Sequence, residues 1–287
     1  MDVIQTRDEL QRWIGERRDR KRVLVPTMGA LHRGHTSLFD RAAEIAGANG
    51  DVLATIFVNP TQFGPNEDFD AYPRQLKDDL AQCEAHGVTA IFAPEPDEMY
   101  EANASISINE SRLSTHLCGA SRPGHFDGVC LVVAKLFILT QANVAVFGEK
   151  DFQQLAIIRR LVRDLNFPIE IVGGETVREP DGLAMSSRNA YLSPEDRRAA
   201  PVIQQALREA SLGITDGKIA TPQEALAAMR NTIEETRGAT IDYLAVVDAA
   251  SLEPLDKFGM AQARLLAAVF FGKTRLIDNI GVPGSVS

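Results

Sequence analysis

The stretch Pro26-Thr27-Met28-Gly29-Ala30-Leu31-His32-Arg33-Gly34-His35 closes on two histidines that bracket a glycine. It follows the apolar run Val23-Leu24-Val25, which predicts a buried strand, and precedes Thr36-Ser37-Leu38-Phe39, which predicts a helix start. A strand, a glycine-bearing turn and a helix N-terminus make a natural phosphate site. Backbone N–H groups and the positive end of the helix dipole converge on such a turn. Two imidazoles there can donate hydrogen bonds to phosphate oxygens, and can do so as cations where a bound nucleotide raises their pKa. A lone histidine would signify little, but two of the chain's five share this turn with Gly29 and Gly34.

Further polar motifs follow other apolar runs. Val58-Asn59-Pro60-Thr61-Gln62-Phe63-Gly64 offers the neutral amides of Asn59 and Gln62, which donate and accept and so suit hydroxyls and a carboxylate. Alone it reads as a proline–glycine loop with amides facing solvent. The acidic stretch Glu67-Asp68-Phe69-Asp70 leads to Tyr72-Pro73-Arg74, and one turn on Asp78 and Asp79 read as a solvated helix face rather than metal ligands. Gly148-Glu149-Lys150-Asp151-Phe152-Gln153-Gln154 opens a helix. Lys150 is placed to reach phosphate oxygens as a mobile point charge, and Asp151 to cap the helix or accept from a ribose hydroxyl. Gln153 and Gln154 lie about 100° apart on a helix, so one of them faces the site. In Met185-Ser186-Ser187-Arg188-Asn189, two hydroxyls and a guanidinium can wrap a triphosphate and follow charge onto a leaving pyrophosphate. Arg122 and His125 lie over a substrate cavity or in a plain loop before a buried helix; both readings stand at this point.

These motifs need a scaffold. Apolar runs at 23–25, 52–58, 89–92, 144–147 and 169–172 alternate with helical segments at about 34–46 and 73–86 and one beginning near 151. Strands without polar alternation, separated by helices, predict a parallel sheet covered on both faces. Ligands bind beyond the carboxyl ends of such strands. HRGH, NPTQFG and GEKD each directly follow a strand, and should converge on one edge of the sheet. Beyond about residue 192 the pattern changes. A helix from Ser193-Pro194 to about Ser211, ended by Leu212-Gly213, is followed by one over 222–236 and strands at 241–247, 264–271 and 275–280. The expected fold class is α/β, a Rossmann-like parallel sheet with helices on both faces over residues 1–184, plus a smaller α+β C-terminal domain over 185–287.

Composition narrows the partners. A formal net charge of −9 argues against nucleic acid, which is bound through basic surfaces, but leaves ATP open, since a local basic pocket suffices. Three cysteines without C-x-x-C spacing speak for a reducing compartment over a disulfide framework or zinc site. The N-terminal residues are too charged for a signal peptide, and the apolar run 129–139, broken by Lys135, is too short to span a bilayer. The expectation is a cytoplasmic protein with neither membrane nor nucleic-acid partner.

The H-x-G-H pattern resembles a nucleotide-binding superfamily whose members break the α–β bond of a nucleoside triphosphate, and MSSRN resembles its second signature, K-M-S-K-S. PTMGALHRGH, VNPTQFG, DAYPR, RPGHFDGV, GEKDFQQL and LAMSSRNAYL, in that order over 26–192, resemble the pantoate–β-alanine ligase (pantothenate synthetase) family, with weaker similarity through TRLIDNI. No signature position departs from the family pattern.

The resemblance implies two half-reactions. Pantoate attacks the α-phosphate of ATP carried with Mg²⁺, giving pantoyl adenylate and pyrophosphate; β-alanine then displaces AMP to give pantothenate. It implies a Rossmann-like domain with a smaller lid domain, in a homodimer. Carried over by motif, His35 is the proton donor; the chemistry of the residues themselves adds His32, Lys150 and Arg188, which with His35 and Mg²⁺ supply the charge that displacement at the α-phosphate needs. Met28, Gly29, Ala30, Leu31, His32, Arg33, Gly34, His35, Gly148, Glu149, Lys150, Asp151, Val177, Met185, Ser186, Ser187 and Arg188 line the nucleotide. Gln62 contacts pantoate and β-alanine and Gln154 contacts pantoate, with Asn59 beside them; no protein ligand to the metal is assigned. Two other readings predict different residues. A nucleotidylyltransferase needs a basic acceptor pocket where this chain has glutamine motifs, and a non-catalytic nucleotide-binding regulator has no need of both Lys150 and His35.

Overall fold

A computed structural model of the chain describes residues 1–65, 67, 69–70, 72–259 and 262–282. Asp68 of the acidic stretch and Ala71 of DAYPR lie outside the described residues. The chain forms two compact units: Met1–Glu149 with Ile157–Glu175, and Lys150–Ala156 with Thr176–Ser287. The sequence reading drew one boundary after residue 184; the structure divides after Glu175 and assigns 150–156 to the second unit.

Among the described residues the first unit carries β1 (Asp2–Ile4), β2 (Arg22–Thr27), β3 (Asp51–Ile56), β4 (Ala90–Phe92), β5 (Val144–Gly148) and β6 (Glu170–Gly174). They make one sheet in the order β1-β4-β3-β2-β5-β6, with every neighbouring pair parallel. Its helices are α1 (Arg7–Gly15), α2 (Arg33–Ala46), α3 (Leu76–Ala85), α4 (Pro96–Met99), α5 (Cys118–Ser121), α6 (His125–Thr140) and the later part of α7 (Phe152–Leu165). Val23, Leu24 and Val25 are all fully buried. Successive strand residues face opposite sides, so the sheet is covered on both. Val23, Val25, Val52, Ala54 and Val146 pack with Phe39 and Ala42 of α2 on one side. On the other, Phe147 meets Phe137 of α6 edge-on. The expected strands and crossover helices are present within a few residues.

The N-terminal elements were not anticipated. Thr6 and Glu9 form a reciprocal capping box that starts α1, whose Leu10 and Trp13 are buried, and β1 adds a short edge strand beside β4. The longest apolar segment is α6, buried nearly all round; among the described residues no helix is long and apolar enough to cross a membrane. Buried Arg22 donates to the carbonyls of Thr140 and Gln141, satisfying the C-terminal end of α6.

The second unit is a three-stranded antiparallel sheet, β7 (Ala239–Asp248), β8 (Ala263–Phe271) and β9 (Thr274–Gly281), in the order β7-β8-β9. It packs with α8 (Pro194–Ala199), α9 (Val202–Thr215) and α10 (Pro222–Glu234). Alternate β8 residues Leu265, Ala267, Val269 and Phe271 share a core with Ile203 and Leu207 of α9 and Met229 and Ile233 of α10. The single helix expected from 193 to 211 is two. Pro201, which has no N–H to continue a helical ladder, becomes the N-cap of α9. Leu212-Gly213 also does not end that helix, which runs on to Thr215. Gly213 is there for close packing, since a Cβ at that position would lie 2.7 Å from Ile219.

Candidate functional site

Strand order reverses between β2 and β5, so the crevice beyond their carboxyl ends is the topological switch point of the sheet. Residues 28–35 leave β2 at this place, and Gly148 ends β5 beside it, followed by Glu149. The 28–35 turn is unusual in its backbone. Gly29 and Ala30 both take left-handed conformations, with φ of 83° and 51°. For alanine that region costs about 1–2 kcal/mol. Asp79 of α3 holds the turn: its Oδ2 accepts the Ala30 N–H at 3.0 Å and its Oδ1 the Leu31 N–H at 2.8 Å. Thr27 accepts the Gly29 N–H, and Gln82 donates to the Leu31 carbonyl.

Asp79 is therefore no solvated helix face. It is 1% exposed, whereas neighbouring Asp78 points to water. The signal was present in the spacing, because Asp79 precedes buried Cys83 by four residues and so falls on the inward stripe of α3.

His32 is the N-cap of α2. Its Nδ1 accepts the Gly34 N–H at 3.1 Å, and the Nδ1 of His35 accepts the His32 N–H at 3.3 Å. The rings lie 4.1 Å apart at a 41° tilt, both half-buried, while Arg33 faces solvent. Nδ1 of each ring is the acceptor here, so the hydrogen of a neutral imidazole is on Nε2. A second proton on either ring would remove one of these helix-start acceptors.

The NPTQ segment is a 3₁₀ turn, Pro60–Gln62, after β3. Asn59 is 1% exposed and its amide is fully engaged. Nδ2 donates to Gln62 Oε1 at 3.0 Å and to the Gly128 carbonyl at 3.2 Å, while Oδ1 accepts from Thr61 and from Tyr100 Oη at 2.7 Å. Asn59, expected beside the substrate, thus also braces the turn through these bonds. Gln62, almost buried, directs its Nε2 to the Met28 sulfur at 3.2 Å, a weak acceptor that a stronger one can displace.

His125 and Arg122 act on the same turn. His125 Nδ1 donates to the Gln62 carbonyl at 2.8 Å, and its Nε2 accepts from Arg122 at 3.0 Å. Glu67 grips Arg122 at two oxygens, each 2.6 Å away, and this pairing holds the Glu67 carboxyl below its usual range. The helix that begins at His125 comes so close that a Cβ on Gly128 would lie 2.2 Å from the Thr61 carbonyl oxygen. Burial pushes the Tyr100 hydroxyl up, keeping it a neutral donor to Asn59.

In the second unit, Lys150 lies in the 3₁₀ turn Glu149–Asp151 with its ammonium 3.6 Å from Asp151. Of the two glutamines, Gln153 is buried and Gln154 half-exposed. Residues 177–185 form a tight hairpin in which Arg178 bridges Ala184 and the Met185 N–H donates to the Val177 carbonyl at 2.9 Å. Val177 and Met185, both expected from the resemblance to line the nucleotide, are thus hydrogen-bonded to each other. Ser186 then caps the turn Ser187–Tyr191 by accepting the Arg188 N–H. Two residues that sequence reasoning did not single out secure these segments: Asp278 pairs with Arg178, and Asn279 donates to the Lys150 carbonyl at 2.9 Å.

The profile of a family described as pantoate-beta-alanine ligase matches residues 2–281. The pantothenate synthetase of Akkermansia muciniphila is 53% identical over 259 residues, 90% of this chain and 91% of that protein. That of Rhizorhabdus wittichii is 50% identical over 284 residues, covering 98% and 99%. The crystal structure of the Thermus thermophilus pantothenate synthetase superposes with a TM-score of 0.90 at 45% identity, over 98% of this chain and 99% of that one. The Francisella tularensis pantoate-beta-alanine ligase, solved in complex with beta-gamma ATP and beta-alanine, gives 0.77 at 33% identity over 98% and 97%. Likeness of this depth extends over both units and every motif read from the sequence, and the chain belongs to the pantoate–β-alanine ligase family, the pantothenate synthetases.

Proposed function

We propose that this ligase makes pantothenate through pantoyl adenylate. In the first half-reaction a carboxylate oxygen of pantoate attacks the α-phosphorus of ATP, and the bond to the bridging oxygen breaks to release pyrophosphate. In the second, the amine of β-alanine attacks the acyl carbon, loses a proton, and AMP leaves with the oxygen that pantoate contributed. Pantoate is already ionised at neutral pH, so the first step asks for orientation and charge stabilisation rather than a base.

The observation that carries this reading is the HRGH turn. Its backbone is fixed from behind by Asp79, and both imidazoles turn Nδ1 to the helix start, which sets the orientation of the two rings. His35 and His32 then stabilise charge on the phosphates, and the start of α2 adds its dipole. Lys150 and Arg188 add positive charge, and Gln62 and Gln154 satisfy the hydroxyls and carboxylate of pantoate. The relative solved with beta-gamma ATP and beta-alanine supports this substrate set. Covalent capture on sulfur is disfavoured, since Cys83 and Cys130 are buried and their thiols are pushed up to about 12.

Magnesium enters with ATP as the counter-ion of the triphosphate. Mg²⁺ is commonly bound through substrate phosphates and water. A homodimer working in the cytoplasm completes the proposal.

Product analysis with ATP, pantoate and β-alanine tests it. Pantothenate, AMP and pyrophosphate in equal amounts are expected; ADP and phosphate would overturn the adenylate route.

A further inference from the structure

Two consecutive residues of β9 hold both segments that carry the second unit's proposed phosphate ligands. Asp278, 4% exposed, accepts from Arg178 at both oxygens, 2.6 and 3.0 Å, and the same guanidinium reaches the Gly182 carbonyl at the tip of the 177–185 hairpin. That hairpin runs directly into Met185–Arg188. Asn279, 3% exposed, donates from Nδ2 to the Lys150 carbonyl and accepts at Oδ1 from Arg264 Nε at 2.7 Å. Arg264 in turn stacks 4.1 Å over Phe152, two residues beyond Lys150. Adjacent strand residues face opposite ways, so β9 has one segment pinned on each side.

We infer that Asp278 and Asn279 are positioning residues for adenylate formation, fixing Lys150 and the Met185–Arg188 loop to a single strand so that their charges keep one spacing. The inference rests on the roles given to Lys150 and Arg188 above. Neither β9 residue needs to touch a substrate: each acts through the backbone it holds, where a displacement on the order of 1 Å is enough to cost rate.

The test uses full-length Asp278→Asn and Asn279→Ala beside Lys150→Ala, with thermal melting to follow the fold. Two rates are read: single-turnover formation of pantoyl adenylate, and its conversion to pantothenate when pantoyl adenylate is supplied with β-alanine. Both β9 variants should slow formation by about ten- to a hundred-fold, with conversion within about twofold of the parent. Asn279→Ala keeps the Arg178–Asp278 pair, and decides the matter if Asp278→Asn folds poorly. Equal loss in both steps would mean a merely structural role and overturn the inference. So would normal adenylate formation in Asn279→Ala beside a crippled Lys150→Ala. A fully active Lys150→Ala would instead remove the reading of Lys150 itself, and this inference with it.

Discussion

Asp79 Oδ2 stands 2.9 Å from where a Cβ on Gly29 would lie, so the carboxylate of α3 fills the space that any side chain at Gly29 would need. The contact joins a helix to the turn after β2 and lets two consecutive residues remain left-handed. Asp79→Ala leaves the Ala30 and Leu31 amides without their acceptors, and should destabilise the protein by about 1–3 kcal/mol. Adenylate formation should fall at the same time, because the backbone preceding His32 is then unsupported. Urea unfolding and single-turnover kinetics read the two effects; an Asp79→Ala variant unchanged in both would show that the turn is held by other means.

The two histidines have separable duties. Asparagine is among the best N-caps, so His32→Asn should keep the start of α2 and cost little stability while losing the Nε2–H donor. Alanine at His35 or Lys150 should slow adenylate formation by about two orders of magnitude, the scale of losing one charge-stabilising donor. Near-normal rates in either would remove that residue from the chemistry.

Gln154 should discriminate between substrates. Its uncharged amide matches the hydroxyls and carboxylate of pantoate and brings no charge to a triphosphate. Gln154→Ala is expected to weaken pantoate use by about 1–3 kcal/mol, roughly ten- to a hundred-fold, with binding of a non-hydrolysable ATP analogue nearly unchanged by calorimetry. Equal losses for both ligands would make Gln154 a structural residue of α7.

The bracing of Gln62 carries its own pH signature. Arg122 lowers the folded-state pKa of Glu67, so the pair's contribution is complete above the unfolded value, about 4.3, and is lost as pH falls through the lower folded value. Parent and Glu67→Gln should therefore differ by a constant amount in stability near neutrality and converge in acid below that range. A gap that persists there would assign the difference to packing.

Much of this was legible in the chain. Unbroken apolar runs such as Val23-Leu24-Val25 announce strands buried on both faces, and the motifs directly behind them mark the switch-point end of the sheet. What escaped depends on tertiary partners. The spacing to Cys83 puts Asp79 on the inward stripe of α3, but no local pattern shows that it holds the Ala30 and Leu31 amides there. Asn59 also bonds Tyr100, Thr61, Gln62 and Gly128, of which Tyr100 and Gly128 lie far along the chain, outside any local pattern. Asp278 lies 100 residues from Arg178, beyond the reach of any local pattern. The break at Pro201 could have been read, since a proline seven residues past Pro194 cannot continue a helical ladder.

The central claim is that pantoate's carboxylate attacks the α-phosphate, and following an oxygen atom tests it most directly. With pantoate labelled in its carboxylate with oxygen-18, full turnover with ATP and β-alanine should place one labelled oxygen in the phosphate of AMP and none in pyrophosphate, read by mass spectrometry. Label found in pyrophosphate or in inorganic phosphate, with AMP unlabelled, would contradict the account.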